Sequence, residues 1–256
     1  HIGTAAARSF WPYLSLAWRV MGDARATWLD GADGYVRTHD LGMNAPELAE
    51  LATLLAGLMQ HQAPFHDQSV RGGVQTDRHL FLNPHPIIQR VRARVDDAVA
   101  AYIAALPPPI AGHPLLDPAY RPAPPPAPPS ALASAPANAP ASTPPNAPRG
   151  PLYDGSWAVR LSQQGFHANH THHRGWISSA AHIVLPPPAQ MGAQPAGWLS
   201  FGQGPPELGL GLPAITQVRP QAGRLVLFPA TLWHGTIAFA GGERLTMAFD
   251  VRPPHG

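Results

Sequence analysis

Histidines are the residues of this sequence whose spacing could do chemistry. Five of the 14 fall between His167 and His182, most of them in Phe166-His167-Ala168-Asn169-His170-Thr171-His172-His173. Neutral imidazole is a common ligand for divalent transition metals. Side chains alternate faces along an extended chain, so His170 and His172 project to the same side and can chelate one ion. A facial site needs a third ligand from elsewhere. His234 is the candidate, about 60 residues on, just after the apolar run Leu225–Phe228. An H-x-H pair by itself is as well explained by structural histidines; the pair together with a distal histidine in a β-rich region points to a metal site. Cysteine is absent, which removes disulfides, thiolate metal sites and cysteine nucleophiles together and leaves histidine and carboxylate as the available ligands.

The elements that must position these histidines come from residue 156 onward. Trp157–Leu161, Ile177–Leu185, Gly197–Phe201, Ile215–Arg219, Arg224–Phe228, Gly235–Phe239 and Arg244–Val251 are short β-rich runs separated by Gly, Pro and Asn, the rhythm of an antiparallel sandwich or barrel. No helix of any length fits there. Such a density of short strands suits a jelly roll, a cupin-like double-stranded β-helix whose mouth can hold a metal and a small ligand.

Helical patterns precede it. Ala5–Met21 carries Phe10, Leu14, Trp18 and Met21 at helical spacing, closed by Gly22-Asp23, and reads as the tail of a helical array. Asn44 with Pro46 and Glu47 forms a capping box ahead of a stripe of Leu48, Leu51, Leu55 and Leu58. A third helix over Pro86–Leu106 buries Ile87, Val91, Val95, Val99, Tyr102 and Leu106. Between Pro107 and Pro151 proline dominates, in a background of Ala, Ser and Asn that offers little to bury, so an extended linker or insertion is expected. The expected organisation is therefore mainly β with N-terminal helices: 1–106 a helical part packed on the barrel, 107–151 a Pro/Ala-rich low-complexity segment, and 152–256 the double-stranded β-helix.

Composition narrows the partners. Of 256 residues 45% are hydrophobic, enough for a real core, but only 12% are charged because 33 prolines and 24 glycines dilute them. All 17 basic residues are arginine and the net charge is only +2. Arg90, Arg92 and Arg94 are the densest basic group and read as a solvated helix face, so no nucleic-acid partner is expected. The longest apolar run, around Ala98–Leu106, is far below the ~20 residues that cross a bilayer. A soluble, cytoplasmic protein with no membrane partner is the expectation. The chain opens at His1 directly into a helical pattern and reads as part of a longer polypeptide, which leaves targeting signals unjudged.

Several ordered motifs resemble a known family. Trp157-Ala158-Val159-Arg160-Leu161, Gly165 through His172, Gly175-Trp176-Ile177-Ser178-Ser179, Leu185-Pro186, Gly223 through Pro229, Trp233-His234-Gly235-Thr236 and Glu243 through Val251 are similar to the 2-oxoglutarate/Fe(II) oxygenases often found behind tetratricopeptide repeats. Trp18 through Asp23 and Gln68 through Thr76 extend the resemblance to most of the chain outside the proline-rich stretch. It implies a double-stranded β-helix that binds Fe(II) and the co-substrate 2-oxoglutarate and oxidises a substrate C–H bond with O2, releasing succinate and CO2. The superfamily pattern of H-x-D/E, a distal His and an Arg or Lys about ten residues later maps onto His170-Thr171-His172, His234 and Arg244. Here His172 stands where a carboxylate is usual. Asp154, Glu207, Glu243 and Asp250 are the acidic residues after position 150, and none lies in that slot.

The resemblance thus implies a three-histidine iron site of His170, His172 and His234, with His167 the alternative second ligand or a partner that orients one. Arg244 is implied as the anchor of the distal carboxylate of 2-oxoglutarate, its planar fork suited to a bidentate grip. Thr246 and Ser178 could add hydroxyl contacts. His182 stands where the family leads one to expect tyrosine, as a cavity residue or a co-substrate contact. Trp233 is a candidate neighbour of the ligand set. The glycine-rich Arg71–Thr76 segment is either a lid over the site or a tight turn. The substrate is not readable, although the repeat association favours a protein or peptide. Two readings from other classes stay open: a cupin-like metalloenzyme that does not use 2-oxoglutarate, and a non-catalytic binding module on the same fold.

Overall fold

A computed structural model describes residues 8–31, 34–60, 69–120 and 150–253. Its strands are β1 (Arg37–Asp40), β2 (Val70–Gln75), β3 (Tyr153–His167), β4 (Ile177–Val184), β5 (Leu199–Phe201), β6 (Thr216–Val218), β7 (Arg224–Pro229), β8 (His234–Thr236) and β9 (Arg244–Val251). A six-stranded sheet has the order β1-β7-β4-β9-β3-β2 and a three-stranded sheet the order β6-β5-β8, with every pairing antiparallel. The two enclose the expected double-stranded β-helix. Strand alternation divides its contents. Along β9, Leu245, Met247, Phe249 and Val251 join the core on the helical side, while Arg244, Thr246, Ala248 and Asp250 line a cavity between the sheets.

The helices α1 (Trp11–Met21), α2 (Arg25–Asp30), α3 (Ala45–Leu58) and α4 (Pro86–Ala104) come from the first part of the chain. In α3 the capping box forms as expected, with Asn44 Oδ1 accepting from the Glu47 N–H at 2.9 Å and the Asn44 N–H reaching back to Glu47 Oε2 at 3.1 Å. In α4, Val91, Val95 and Val99 each cost up to ~0.7 kcal/mol in helix propensity relative to alanine. All three are buried against the large sheet, and burying a valine returns about 1.5–3 kcal/mol. Packing therefore decides that this segment is helical. Arg94 and Arg90 are not merely solvated: they bridge α4 to α3 through Glu47 and Glu50, each at 2.8 Å.

Several expectations change. In α1 the buried residues are Trp11, Pro12, Ser15 and Leu16, whereas Phe10, Leu14 and Met21 are exposed. Trp11 packs on Trp28 of α2 and Leu16 on the backbone of Gly204, which turns the other face outward. The stretch 1–106 is not wholly helical, because β1 and β2 extend the large sheet at its two edges. The Arg71–Thr76 segment is neither lid nor tight turn but edge strand β2, paired with β3 and bulged at Gly72, whose φ of 68° favours glycine. The proline-rich stretch does not begin as a free linker: His113, Leu115 and Leu116 are buried, and the Leu115 carbonyl accepts from the Trp176 indole N–H at 2.9 Å. The rest of that stretch, 121–149, lies outside the described residues, as do residues 1–7. One helical turn, Pro188–Met191, interrupts the β region where no helix was expected.

Candidate metal centre

The H-x-H pair lies just beyond β3, where the chain leaves regular strand but stays pinned to its neighbour. The His170 N–H donates to the His234 carbonyl at 2.9 Å, the His234 N–H returns to the His170 carbonyl at 3.0 Å, and the His172 N–H donates to Ala230 O at 2.9 Å. Alternation therefore survives, and His170 and His172 face the same way. The approach is so close that a Cβ on Gly235 would stand 2.3 Å from Asn169 Oδ1 and 2.8 Å from the His167 carbonyl. Only glycine fits beside His234.

Ligand atoms of His170, His172 and His234 lie within 4.8 Å of one another. Each imidazole has its Nδ1 occupied: His170 donates to Ala168 O at 2.8 Å, His234 to Leu232 O at 2.9 Å, and His172 to Asp250 Oδ2 at 2.7 Å. These bonds fix the tautomers and turn the three Nε2 atoms to the side where a common ion would sit, the one on His170 lying 3.3 Å from Ser69 Oγ, whose hydroxyl an ion would displace. Burial, and then the neighbouring His172, push His170 down to about 4; burial and then His170 and His172 hold His234 well below its ordinary value. Both stay neutral at pH 7, the state a metal needs. The donor set fits a borderline divalent cation such as Fe(II).

Asp250 was not singled out in the sequence as part of this constellation. Its other oxygen accepts from Ser178 Oγ at 2.5 Å, so Ser178 is committed to Asp250 and does not line the cavity. The signal was present: Arg244, Thr246, Ala248 and Asp250 alternate along one strand, so Asp250 shares the face of Arg244. Trp157, stacked on His172 at 5.7 Å between ring centres, also escaped notice as a wall of the site. So did Ser69 and Gln75, which reach the cavity from beside and within β2.

The cavity has a volume of about 350 Å³. Arg244 opens onto it, fully buried, with one terminal nitrogen donating to Gly197 O at 2.7 Å and the other to His182 Nδ1 at 3.2 Å. Its Nε has no partner, and burial lowers it to about 10, still charged at neutral pH. An unpaired buried cation is expensive, and the orphaned N–H beside an open cavity suits an incoming carboxylate. Thr246 lies on the same wall. His182 is buried outside the cavity lining, next to Arg244. His167 lines the cavity with its backbone N–H on Thr236 Oγ1 at 2.7 Å and is not among the three converging histidines. Trp233 turns to α1, donating its indole N–H to Pro12 O at 2.9 Å. Among the described residues no helix is long and apolar enough to cross a membrane.

Residues 155–250 match a family model described as "Putative 2OG-Fe(II) oxygenase". No protein of curated function matches the chain. Among solved structures the chain is similar to a prolyl-4-hydroxylase from Pseudomonas putida, at 14% identity and TM-score 0.52 over 86% of this chain and 93% of that one. It is similar also to the viral collagen prolyl hydroxylase of Paramecium Bursaria Chlorella virus-1 in its 2OG complex, at 11% identity and TM-score 0.50 over 88% and 98%. A third is HygX from Streptomyces hygroscopicus with nickel and 2-oxoglutarate bound, at 11% identity and TM-score 0.50 over 86% and 84%.

Proposed function

We propose that the chain is a 2OG-Fe(II) oxygenase, as the family match over residues 155–250 supports, in which His170, His172 and His234 hold Fe(II) while Arg244, with Thr246 beside it, anchors the distal carboxylate of 2-oxoglutarate. Bound together, iron and 2-oxoglutarate supply the O2-dependent oxidation of a substrate C–H bond, with succinate and CO2 as co-products. What carries this reading is one cavity with three oriented imidazoles on its wall and a buried arginine that has no carboxylate partner among the described residues.

The chain's own residues have separable tasks. The carbonyls of Ala168 and Leu232 and the carboxylate of Asp250 hold the imidazole N–H groups, so no ligand has to turn before it binds. Arg244 and Thr246 orient the co-substrate from the end of the cavity at β9's first residues. Leu199, Phe228 and Val159 contribute apolar wall that excludes water and raises the worth of the charge pair at Arg244. The substrate we propose is a protein or peptide side chain, supported by the position of edge strand β2, which brings Ser69 and Gln75 to the cavity.

A cupin-like metalloenzyme without 2-oxoglutarate is the second reading, favoured by the all-histidine ligand set. Succinate formation by Fe(II)-loaded protein supplied with 2-oxoglutarate and O2 tests the two. Slow uncoupled succinate release even without substrate is expected. Bound iron with no 2-oxoglutarate binding would leave the second reading in place of the first.

A further inference from the structure

Of the three converging histidines two give their Nδ1–H to neutral backbone carbonyls, and one gives it to a carboxylate. That carboxylate, Asp250, is buried at 7% exposure, and among the described residues its ion-pair partner is His172, not an arginine. Its hydrogen-bond partners are His172 at 2.7 Å through Oδ2 and Ser178 Oγ at 2.5 Å through Oδ1. A buried anion with only these two donors is costly unless a positive charge stands close by. The cation that would balance it is one imidazole away. We propose that Asp250 supplies, from behind His172, the negative charge that a three-imidazole site lacks in its first coordination sphere, and so is the positioning residue that sets both the metal affinity and the net charge of this centre.

The inference rests on the reading of His170, His172 and His234 as a metal site, and not on 2-oxoglutarate. A carboxylate accepting from the far nitrogen of a ligand imidazole fixes its tautomer and makes its near nitrogen a stronger donor, and loss of such a partner typically lowers metal affinity about 10–100-fold. Here the Asp250 anion has a second consequence. It reduces the positive potential at the ion, which disfavours anions binding to that ion. Removing the charge must therefore act in opposite directions, weakening the grip on the cation and strengthening the cation's grip on an added anion. Ser178, pinned to the other oxygen, holds the carboxylate in the plane it needs.

The same geometry predicts the behaviour of a ligand swap. A carboxylate placed at position 172 would restore the commoner ligand pattern but would bring two anions to the same corner, with Ser178 able to donate to only one of them. His172→Asp alone should bind metal poorly, and Asp250→Asn should rescue it.

Co(II) is the probe for the test, because its visible spectrum reports coordination and needs no turnover. Asp250→Asn keeps shape and can still accept from His172, so the fold should persist, as circular dichroism would report. We expect Co(II) to bind this variant about 10–100-fold more weakly and azide to bind the Co(II)-loaded variant more tightly than wild type. A packing defect would weaken both. Ser178→Ala, which leaves the charge but frees the carboxylate, should lower Co(II) affinity by a smaller factor without tightening azide. His172→Asp/Asp250→Asn should bind Co(II) better than His172→Asp. Unchanged Co(II) affinity in Asp250→Asn, or azide affinity that falls with it, would overturn the assignment. Wild type that binds Co(II) but never forms succinate would sink the oxygenase reading and leave Asp250 untouched.

Discussion

Arg244 donates to His182 Nδ1 at 3.2 Å, and the two side chains, 1% and 0% exposed, form a buried pair that carries the single charge of Arg244, with no carboxylate on either member among the described residues. Because guanidinium can only donate, His182 must present a bare Nδ1 and carry its proton on Nε2. That Nε2 has no partner, and neither does Arg244 Nε. Two orphaned donors, one on the cavity wall and one behind it, are a standing cost of roughly 1–3 kcal/mol each, which an anionic ligand on Arg244 would partly relieve.

The carboxylate anchor is tested by Arg244→Gln. Truncating one member of a desolvated, hydrogen-bonded charge pair costs about 2–5 kcal/mol, so the apparent 2-oxoglutarate requirement should rise at least ~30-fold, at ~1.4 kcal/mol per decade. Metal affinity should stay near wild type, since Arg244 contacts Gly197 and His182 and none of the three converging histidines. Co-substrate titrations with parallel metal titrations check this. An unmoved 2-oxoglutarate requirement would place the carboxylate elsewhere.

Metal content separates the histidines. His170→Ala and His234→Ala each leave two imidazoles, too few for a facial site, and should lose stoichiometric Fe(II) on purification and on reconstitution. His167→Ala, outside the converging group, should keep it. Full iron occupancy in His234→Ala, or loss of iron in His167→Ala with the fold intact, would exchange the two assignments.

Acid should destabilise the metal-free protein through His182. Burial, then Arg244 and His167, hold its folded-state pKa well below the ordinary value, while in the unfolded chain it titrates near ~6.5. The unfolded state therefore binds the proton more readily. The contribution is fully present above pH ~6.5 and is lost as pH falls below it, at up to ~1.4 kcal/mol per pH unit. His182→Gln keeps an acceptor for Arg244 and removes the titration. Denaturant midpoints between pH 7 and pH 5 should fall less steeply in that variant, and equal slopes would show that other groups govern the acid limb.

How far the sequence was legible depends on whether a feature is local. His170, His172 and His234 could be read because alternation and a distal histidine after an apolar strand are local patterns, as were the Asn44 capping box and the valine stripe of α4. Asp250 was legible in principle from its parity with Arg244 on β9, but only once the site was sought on that face. Ser69 and Gln75 were not legible, since nothing in residues 69–75 announces that they pair with β3. The same holds for Leu115 and Leu116, whose apolar pair was submerged in a proline-rich background although it packs under Trp176. In α1 the helix was readable and its buried face was not, because Phe10, Leu14 and Met21 are as apolar as Trp11 and Leu16 and only the tertiary partners choose between the two stripes.

Where α1 meets α2, Asp30 gives the opposite pH signature to His182. It is 7% exposed, its carboxylate accepts from Ser15 Oγ, and burial pushes it up to about 6 despite that bond and the nearby Arg19 charge. The unfolded carboxylate titrates near ~3.9. Folding therefore favours the protonated form, and this contribution is fully present below pH ~4 and is lost as pH rises through about 6. At ~1.4 kcal/mol per unit the loss approaches ~3 kcal/mol above that range. Asp30→Asn has nearly the same shape and keeps an acceptor for Ser15 while never ionising. It should match wild type at pH 4 and exceed it at pH 8 by roughly 1–3 kcal/mol, a rise of several degrees in Tm for a chain of this size at ~2–4 °C per kcal/mol. The difference between the two proteins must grow with pH. A constant offset would mean that Arg19 neutralises the Asp30 carboxylate in the folded state and that the Ser15–Asp30 contact is an ordinary hydrogen bond to a permanently charged group.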